Sequence, residues 1–234
     1  MHTRRLVLLL TAQLLPALAL VLPVLALAHN IAGGDASFIA SNAGAAPGPF
    51  MYLGAKHMVS GYDHLLFLAG VIFFLYRPIH VIQYVTLFAV GHSTTLLLGV
   101  LADIQINAYL IDSFIALSVV YKALENMGGL DRLGKWRPNT RLAVLLFGLI
   151  HGFGLATSLQ ELQLADEGLI VNLISFNVGV EIGQILALLF IFAFFEVWRT
   201  RNSFRQYAFI SNAALMCAGF ILMMYQLTAW QLNA

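Results

Sequence analysis

The stretch HMVSGYDHLLFL, residues 57–68, begins an apolar run that is long enough to cross a membrane. If the run forms one helix, the seven-residue spacing of His57 and His64 places both imidazoles on the same face. Ser60 and Gly61 fall on that stripe as well. Ionisable groups are costly at membrane depth and usually face a bundle interior or a cavity, so the stripe predicts a functional site. The alternative is a histidine pair that only hydrogen-bonds within a helix interface.

The composition is that of a polytopic membrane protein. Of the 234 residues, 60% are hydrophobic and 10% are charged, and the mean hydropathy is +0.85. A formal net charge of +1, without a basic run interleaved with aromatic residues, gives no support for nucleic-acid binding. The single cysteine, Cys217, excludes an intrachain disulfide and any CxxC motif. Chemistry at a site must therefore use nitrogen and oxygen ligands.

The N-terminal region divides into two predicted segments. Residues 1–28 have the basic start, apolar run and small-residue end of a secretory signal peptide, and Pro16 and Pro23 favour cleavage over an anchor helix. Residues 29–50 are rich in Gly, Ala, Ser, Asn and Pro, which predicts an extracytoplasmic linker. Residues 51–234 are predicted to form the transmembrane domain.

The predicted fold class is all-α, a polytopic transmembrane bundle of about six helices after the signal peptide. The apolar stretches long enough to span lie near 51–76, 80–101, 110–127, 140–160, 170–195 and 207–230.

Basic residues in alternate connections predict the orientation. Lys and Arg occur after the first, third and fifth stretches. The connections near 102–109 and 161–168 contain Asp and Glu but no Lys or Arg. The positive-inside rule therefore places the basic connections in the cytoplasm. The chain is expected in the inner membrane of a bacterium, with its mature N-terminus and its C-terminus outside.

Helical rise then assigns a depth to each polar group. At about 1.5 Å per residue, His92, His151 and Glu181 lie near the middle or in the outer half of their helices. The same count places His57 near the outer mouth and His64 about two turns deeper. Five further polar residues are predicted to support the site: Ser93, Asn177 and Gln184, and, at the inner end of the third helix, Glu125 and Asn126.

Two of these residues lie inside GxxxG patterns. His151 stands between Gly148 and Gly152, and Glu181 stands between Gly179 and Gly183. Small residues at that spacing let transmembrane helices approach closely, so both side chains are expected near the bundle centre. Alternatively, the glycines serve packing alone.

The candidate ligands are imidazoles and carboxylates without a thiolate. This set suits a divalent transition metal such as nickel, cobalt, copper or zinc better than calcium or magnesium. The predicted metal ligands are His57, Asp63, His64, His92, His151 and Glu181.

Five segments carry a resemblance to a known family. They are His57–Phe67, GHSTTL at Gly91–Leu96, IALSVVYKALEN at Ile115–Asn126, FGLIHGFGLA at Phe147–Ala156 and FNVGVEIGQ at Phe176–Gln184. Together they resemble the HupE/UreJ family of membrane proteins over about residues 50 to 230.

The resemblance implies a nickel or cobalt permease that serves hydrogenase or urease accessory systems, with metalloenzyme maturation proteins as partners. The H-x5-D-H arrangement of His57, Asp63 and His64 is also similar to the metal-selecting motif of nickel/cobalt transporters. Met58 replaces the proline expected after the first histidine, and Asp112 replaces the glutamate expected before the IALS segment. The identity of the metal stays open for that reason.

Two other classes of function remain in competition with a permease. An intramembrane hydrolase would hold zinc on His64, His92 and His151, with Asp63 or Glu181 as the base, although the sequence has no HExxH motif. A haem protein would need axial histidines at matched depth on facing helices, and nothing in the sequence specifically requires that arrangement.

Overall fold

The computed structural model describes residues 44–161 and 167–233, and the regular elements in these ranges are all helices. The all-α prediction is therefore confirmed for the described part of the chain. The predicted signal peptide and most of the predicted linker lie outside the described residues.

Seven α-helices follow one another along the described chain. They are α1 (Pro47–Ser60), α2 (Tyr62–Ile72), α3 (Pro78–Leu101), α4 (Ala108–Asn126), α5 (Thr140–Glu161), α6 (Leu169–Arg199) and α7 (Asn202–Asn233), and a short 3-10 helix, Asp131–Trp136, lies between α4 and α5. Pro47 and Pro78 start their helices, where the missing N–H costs nothing. Asn107 caps α4 by accepting a hydrogen bond from the Leu110 amide.

Four helices in the described chain are long and apolar enough to cross a membrane. They are α3, α5 up to Gln160, α6 and α7, whereas α2 is a shorter apolar helix and α4 is not among the four. All six predicted stretches are helical, and α1 begins at Pro47, inside the predicted linker. The count of six spans stays a prediction.

The first predicted stretch is not one helix, and that prediction was wrong. The backbone of Gly61 is extended, with φ −72° and ψ 103°, and it ends α1 and starts α2. The amide of Gly61 still donates to the His57 carbonyl at 2.9 Å, so the chain bends without leaving the bundle. Irregular backbone at membrane depth is tolerated where it is buried in protein or lines a cavity.

Glycines allow two pairs of helices to cross closely, which confirms their predicted packing role. α3 packs against α5, where a methyl group added at Gly148 would collide with the Phe88 carbonyl and one at Gly152 with the His92 carbonyl. α1 packs against α6, where a methyl group at Gly179 would collide with the Met51 carbonyl. The third extensive contact joins α4 and α7.

The three basic connections lie at one end of the bundle, here called the inner end. The side-chain amide of Asn126 donates from Nδ2 to the Gly70 carbonyl at 2.8 Å and to Asn212 Oδ1 at 2.9 Å. Arg199 Nη2 donates to the Phe73 carbonyl at 2.9 Å. These bonds join the end of α4 to α2 and α7, and the end of α6 to the end of α2. The opposite end, which includes the 102–107 connection, is here called the outer end.

Candidate metal centre

Four histidines on three predicted spans form a group, with His64 at its centre. The ring centroid of His64 lies 5.1 Å from that of His57, 5.0 Å from that of His151 and 6.2 Å from that of His92. His64, His92 and His151 are buried, with exposed fractions of 4%, 1% and 1%. The structure thus brings together His64, His92 and His151, which depth predicted to meet, and it adds His57 to them. We call these four residues the histidine cluster.

One depth prediction was wrong. Two turns of a continuous helix would separate His57 and His64 by about 11 Å along the axis. The bend at Gly61 instead brings their rings into edge contact. His57 is therefore part of the same cluster.

Asp63 completes the set of close ligand atoms. Asp63, His64 and His151 each offer one ligand atom, and these three atoms lie within 4.8 Å of one another. All three residues are buried. Asp63 Oδ1 lies 3.0 Å from His64 Nδ1. Asp63 and His64 are in the first turn of α2, directly after the break, so the break positions both side chains.

Two hydrogen bonds assign the protons on the central imidazoles. His151 Nδ1 lies 2.7 Å from the Phe147 carbonyl oxygen, which can only accept, so Nδ1 carries the hydrogen. The same argument applies to His64 Nδ1 and the Asp63 carboxylate. In a neutral imidazole this leaves a lone pair on Nε2 of both residues, which is the form that binds a divalent metal.

Several nitrogens of the cluster are buried without a protein hydrogen bond. In the described residues, His64 Nε2 and both ring nitrogens of His92 have no hydrogen-bond partner. An unsatisfied buried polar group costs about 1–3 kcal/mol. A cation that accepts these lone pairs would remove that cost, so the donor set fits a metal ion.

Aromatic rings surround the histidines on the inner side. Phe88 lies 4.9 Å from His151 and stacks on His92 at 5.9 Å, and Phe67 lies 5.6 Å from His151. The sequence analysis did not identify these residues as part of the site. Helical spacing was the available signal, because Phe67 follows His64 by three residues and Phe88 precedes His92 by four.

Glu181 does not lie in the close ligand set, in contrast to its predicted role. It is exposed and lines a lateral groove of about 780 Å³ between α3 and α6. Residues advance by about 100° around a helix, so Glu181 lies about 160° from both Gly179 and Gly183. The glycines face α1 and Glu181 faces the groove, whereas His151 lies within about 100° of both of its glycines.

The predicted supporting residues occupy two places. Asn177 and Gln184 are buried, and Gln184 Nε2 donates to the Val85 carbonyl at 3.5 Å, whereas Ser93 lines the lateral groove. Glu125 accepts from Lys122 Nζ at 2.7 Å and also from Arg137 and Thr140. Glu125 and Asn126 therefore join helices at the inner end rather than contribute to the cluster.

A buried group of histidines on apolar helices defines the class of protein: a helical membrane protein with a candidate site for a transition-metal ion. A comparison with family models gives the more specific assignment, because the model described as HupE / UreJ protein matches residues 33–234. The chain belongs to the HupE/UreJ family. Searches of curated proteins and of solved structures gave no match.

Proposed function

We propose that the chain is a membrane permease for a divalent transition-metal ion, with nickel as the first candidate and cobalt as the second. Its family is one of nickel or cobalt accessory and transport proteins. The observation that carries the proposal is the buried cluster of His64, His92 and His151 beside Asp63, without a thiolate. The metal is the cargo, and the basic inner end faces the cytoplasm.

Each residue of the cluster has a separate role in this proposal. His64 and His151 bind the ion through Nε2, and His92 supplies a third nitrogen. Asp63 orients His64 through the bond to Nδ1, the arrangement in which a carboxylate fixes a ligating imidazole. His57 lies on the outer segment of the broken helix, and it is the first imidazole of the cluster to receive the ion and passes it to His64.

A zinc hydrolase would use the same three histidines, and it is the weaker candidate. Of its two predicted bases, Glu181 is exposed on the lateral groove, and Asp63 is already bonded to His64. The family is regarded as one of transport or accessory proteins, which supports the permease.

Replacement of Asp63 by Asn tests the orienting role. We expect the affinity for nickel to fall by about 10- to 100-fold, because a neutral amide holds the imidazole less strongly. Calorimetric titration of the purified variant measures this change, with Asp131→Asn as a control on the exposed inner connection. Loss of all binding would indicate instead that Asp63 is itself a ligand, and unchanged binding would exclude both roles.

Uptake into proteoliposomes tests transport itself. The sequence contains no GxxxxGK[ST] motif, so the membrane potential is the proposed driving force. A potential of 100 mV, negative inside, favours a dication by about 4.6 kcal/mol, which corresponds to about a thousandfold accumulation. We expect nickel uptake to rise steeply with an imposed potential. Uptake that ignores the potential would contradict electrogenic import.

A further inference from the structure

The three extensive helix contacts of the described chain have the symmetry of an inverted repeat. The first half comprises α1 to α4, and the second half comprises α5 to α7. In this relation α1 and α2 together correspond to α5, α3 corresponds to α6, and α4 corresponds to α7. Exchange of the halves turns the α1/α6 pair into the α5/α3 pair and leaves the α4/α7 pair unchanged. These are the three extensive helix contacts in the described chain, so the exchange preserves all of them.

The glycine crossings obey the same relation. Gly54 of α1 lies against α6 at Phe176 and Val180, and Gly148 of α5 lies against α3 at Phe88. Gly179 on α6 and Gly91 on α3 provide the small residues on the other side of each crossing. Corresponding helices run in opposite directions between the two ends, which is the arrangement of inverted-repeat transporters.

The two ends differ at corresponding positions. The outer end has a polar pocket of about 430 Å³ between the start of α4 and the end of α5, here called the outer pocket. Its polar lining residues are Gln105, Asn107, Tyr109, Thr157 and Gln160. The exchange maps this place onto the start of α7 and the end of α2 at the inner end.

That inner place is filled by aromatic side chains. The inner aromatic cluster consists of Phe73, Phe195, Trp198 and Phe204. In three pairs of these residues the ring centroids lie 5.1 to 5.3 Å apart. The three phenylalanines are buried. One end is therefore an open polar pocket while its counterpart is closed by packed rings.

Arg199 lies beside the inner aromatic cluster and bonds across it. Its side chain is 5% exposed, and Nη2 donates to the carbonyl groups of Ile72 and Phe73 at the end of α2. Nη1 donates to Glu196 at 2.7 Å. A planar guanidinium can bridge such carbonyls while it stacks on rings, and it lies 5.5 Å from the ring of Phe195. The side chain thus joins α6 to the end of α2.

We propose that the inner aromatic cluster, latched by Arg199, is the inner gate of the protein, and that it opens as the outer pocket closes. The proposal rests on the permease function and adds the two gates to it. Rocking of one half against the other around the fixed histidine cluster exchanges the two ends.

Thiol labelling of the full chain in lipid nanodiscs tests the gate. In a Cys217→Ser background, Ala108→Cys reports on the outer pocket and Ala208→Cys, one turn beyond Phe204, reports on the inner end. Arg199→Gln removes the latch. We expect an impermeant maleimide to label Ala208→Cys about tenfold faster and Ala108→Cys more slowly, because one lost charge-assisted bond shifts the population by about that factor.

The matched control is Arg201→Gln, an exposed arginine in the same connection, which should leave both rates unchanged. Unchanged inner labelling would overturn the proposal, and so would an outer rate that rises together with the inner rate, which would indicate local fraying. If Arg199→Gln does not fold, Arg199→Lys keeps the charge without the planar fork and must shift both rates in the same directions. Labelling uses no metal, so a negative labelling result contradicts the gate alone, whereas a negative metal titration contradicts the proposed function.

Discussion

His64→Ala is expected to abolish measurable nickel binding. The substitution removes the imidazole at the centre of the cluster, which is in ring contact with His57, His92 and His151. It also removes the hydrogen bond between His64 and the buried carboxylate of Asp63. Loss of a direct ligand should exceed the 10- to 100-fold effect of a supporting residue, so we expect a loss of more than about 100-fold.

Calorimetric titration of purified protein with nickel, cobalt, copper and zinc measures this loss. His151→Ala should behave in the same way, whereas His57→Ala should slow capture and only weaken binding. His80→Ala is the control, because His80 lies in the first turn of α3 at the inner end. If His64→Ala and His151→Ala bind every metal as the parent does, the histidines are structural.

Gly61→Ala is expected to disrupt the cluster without the loss of any ligand. A Cβ atom at this position would lie 2.7 Å from His64 Nδ1 and 3.1 Å from Asp63 Oδ1. Real Cβ atoms essentially never approach another atom below 3.0 Å, so the imidazole must move and its bond to Asp63 must lengthen. Because misplacement of a ligand affects affinity as strongly as loss of its support, we expect nickel affinity to fall by about 100-fold.

Gly48→Ala is the matched control in α1, since a Cβ atom there meets nothing within 4 Å. Both variants should retain the helical circular dichroism of the parent, and only Gly61→Ala should lose affinity in the titration. Binding equal to that of the parent would show that the break does not position the site.

The positions of the helices could be predicted from the sequence, but the break between α1 and α2 could not. Apolar runs and basic connections located all six helical stretches. A single glycine within an apolar run is common in continuous helices, so Gly61 gave no distinctive signal. α2 packs against α4 and α6, and such tertiary contacts cannot be read from a local sequence pattern.

The sequence predicted that the histidines and Glu181 lie together; the structure groups the histidines and places Glu181 on the lateral groove. His151 lies beside the glycine face of α5, so close packing against α3 brings it to the cluster. Glu181 lies on the opposite side of α6 from its glycines. A GxxxG pattern thus predicts which face is packed, and the residue between the glycines faces the partner only at some positions. The angle between Glu181 and its glycines follows from the sequence alone, because each residue advances by about 100° around a helix.

X-ray absorption of the purified parent protein loaded with nickel tests the central claim most directly. The claim is that the cargo binds to imidazole nitrogens of the buried cluster. The spectrum should show nitrogen and oxygen ligands with the multiple scattering of at least two imidazoles, and no thiolate sulphur, since Cys217 is exposed on α7. A nickel–sulphur distance, or a shell of oxygen ligands without imidazole scattering, would contradict the account.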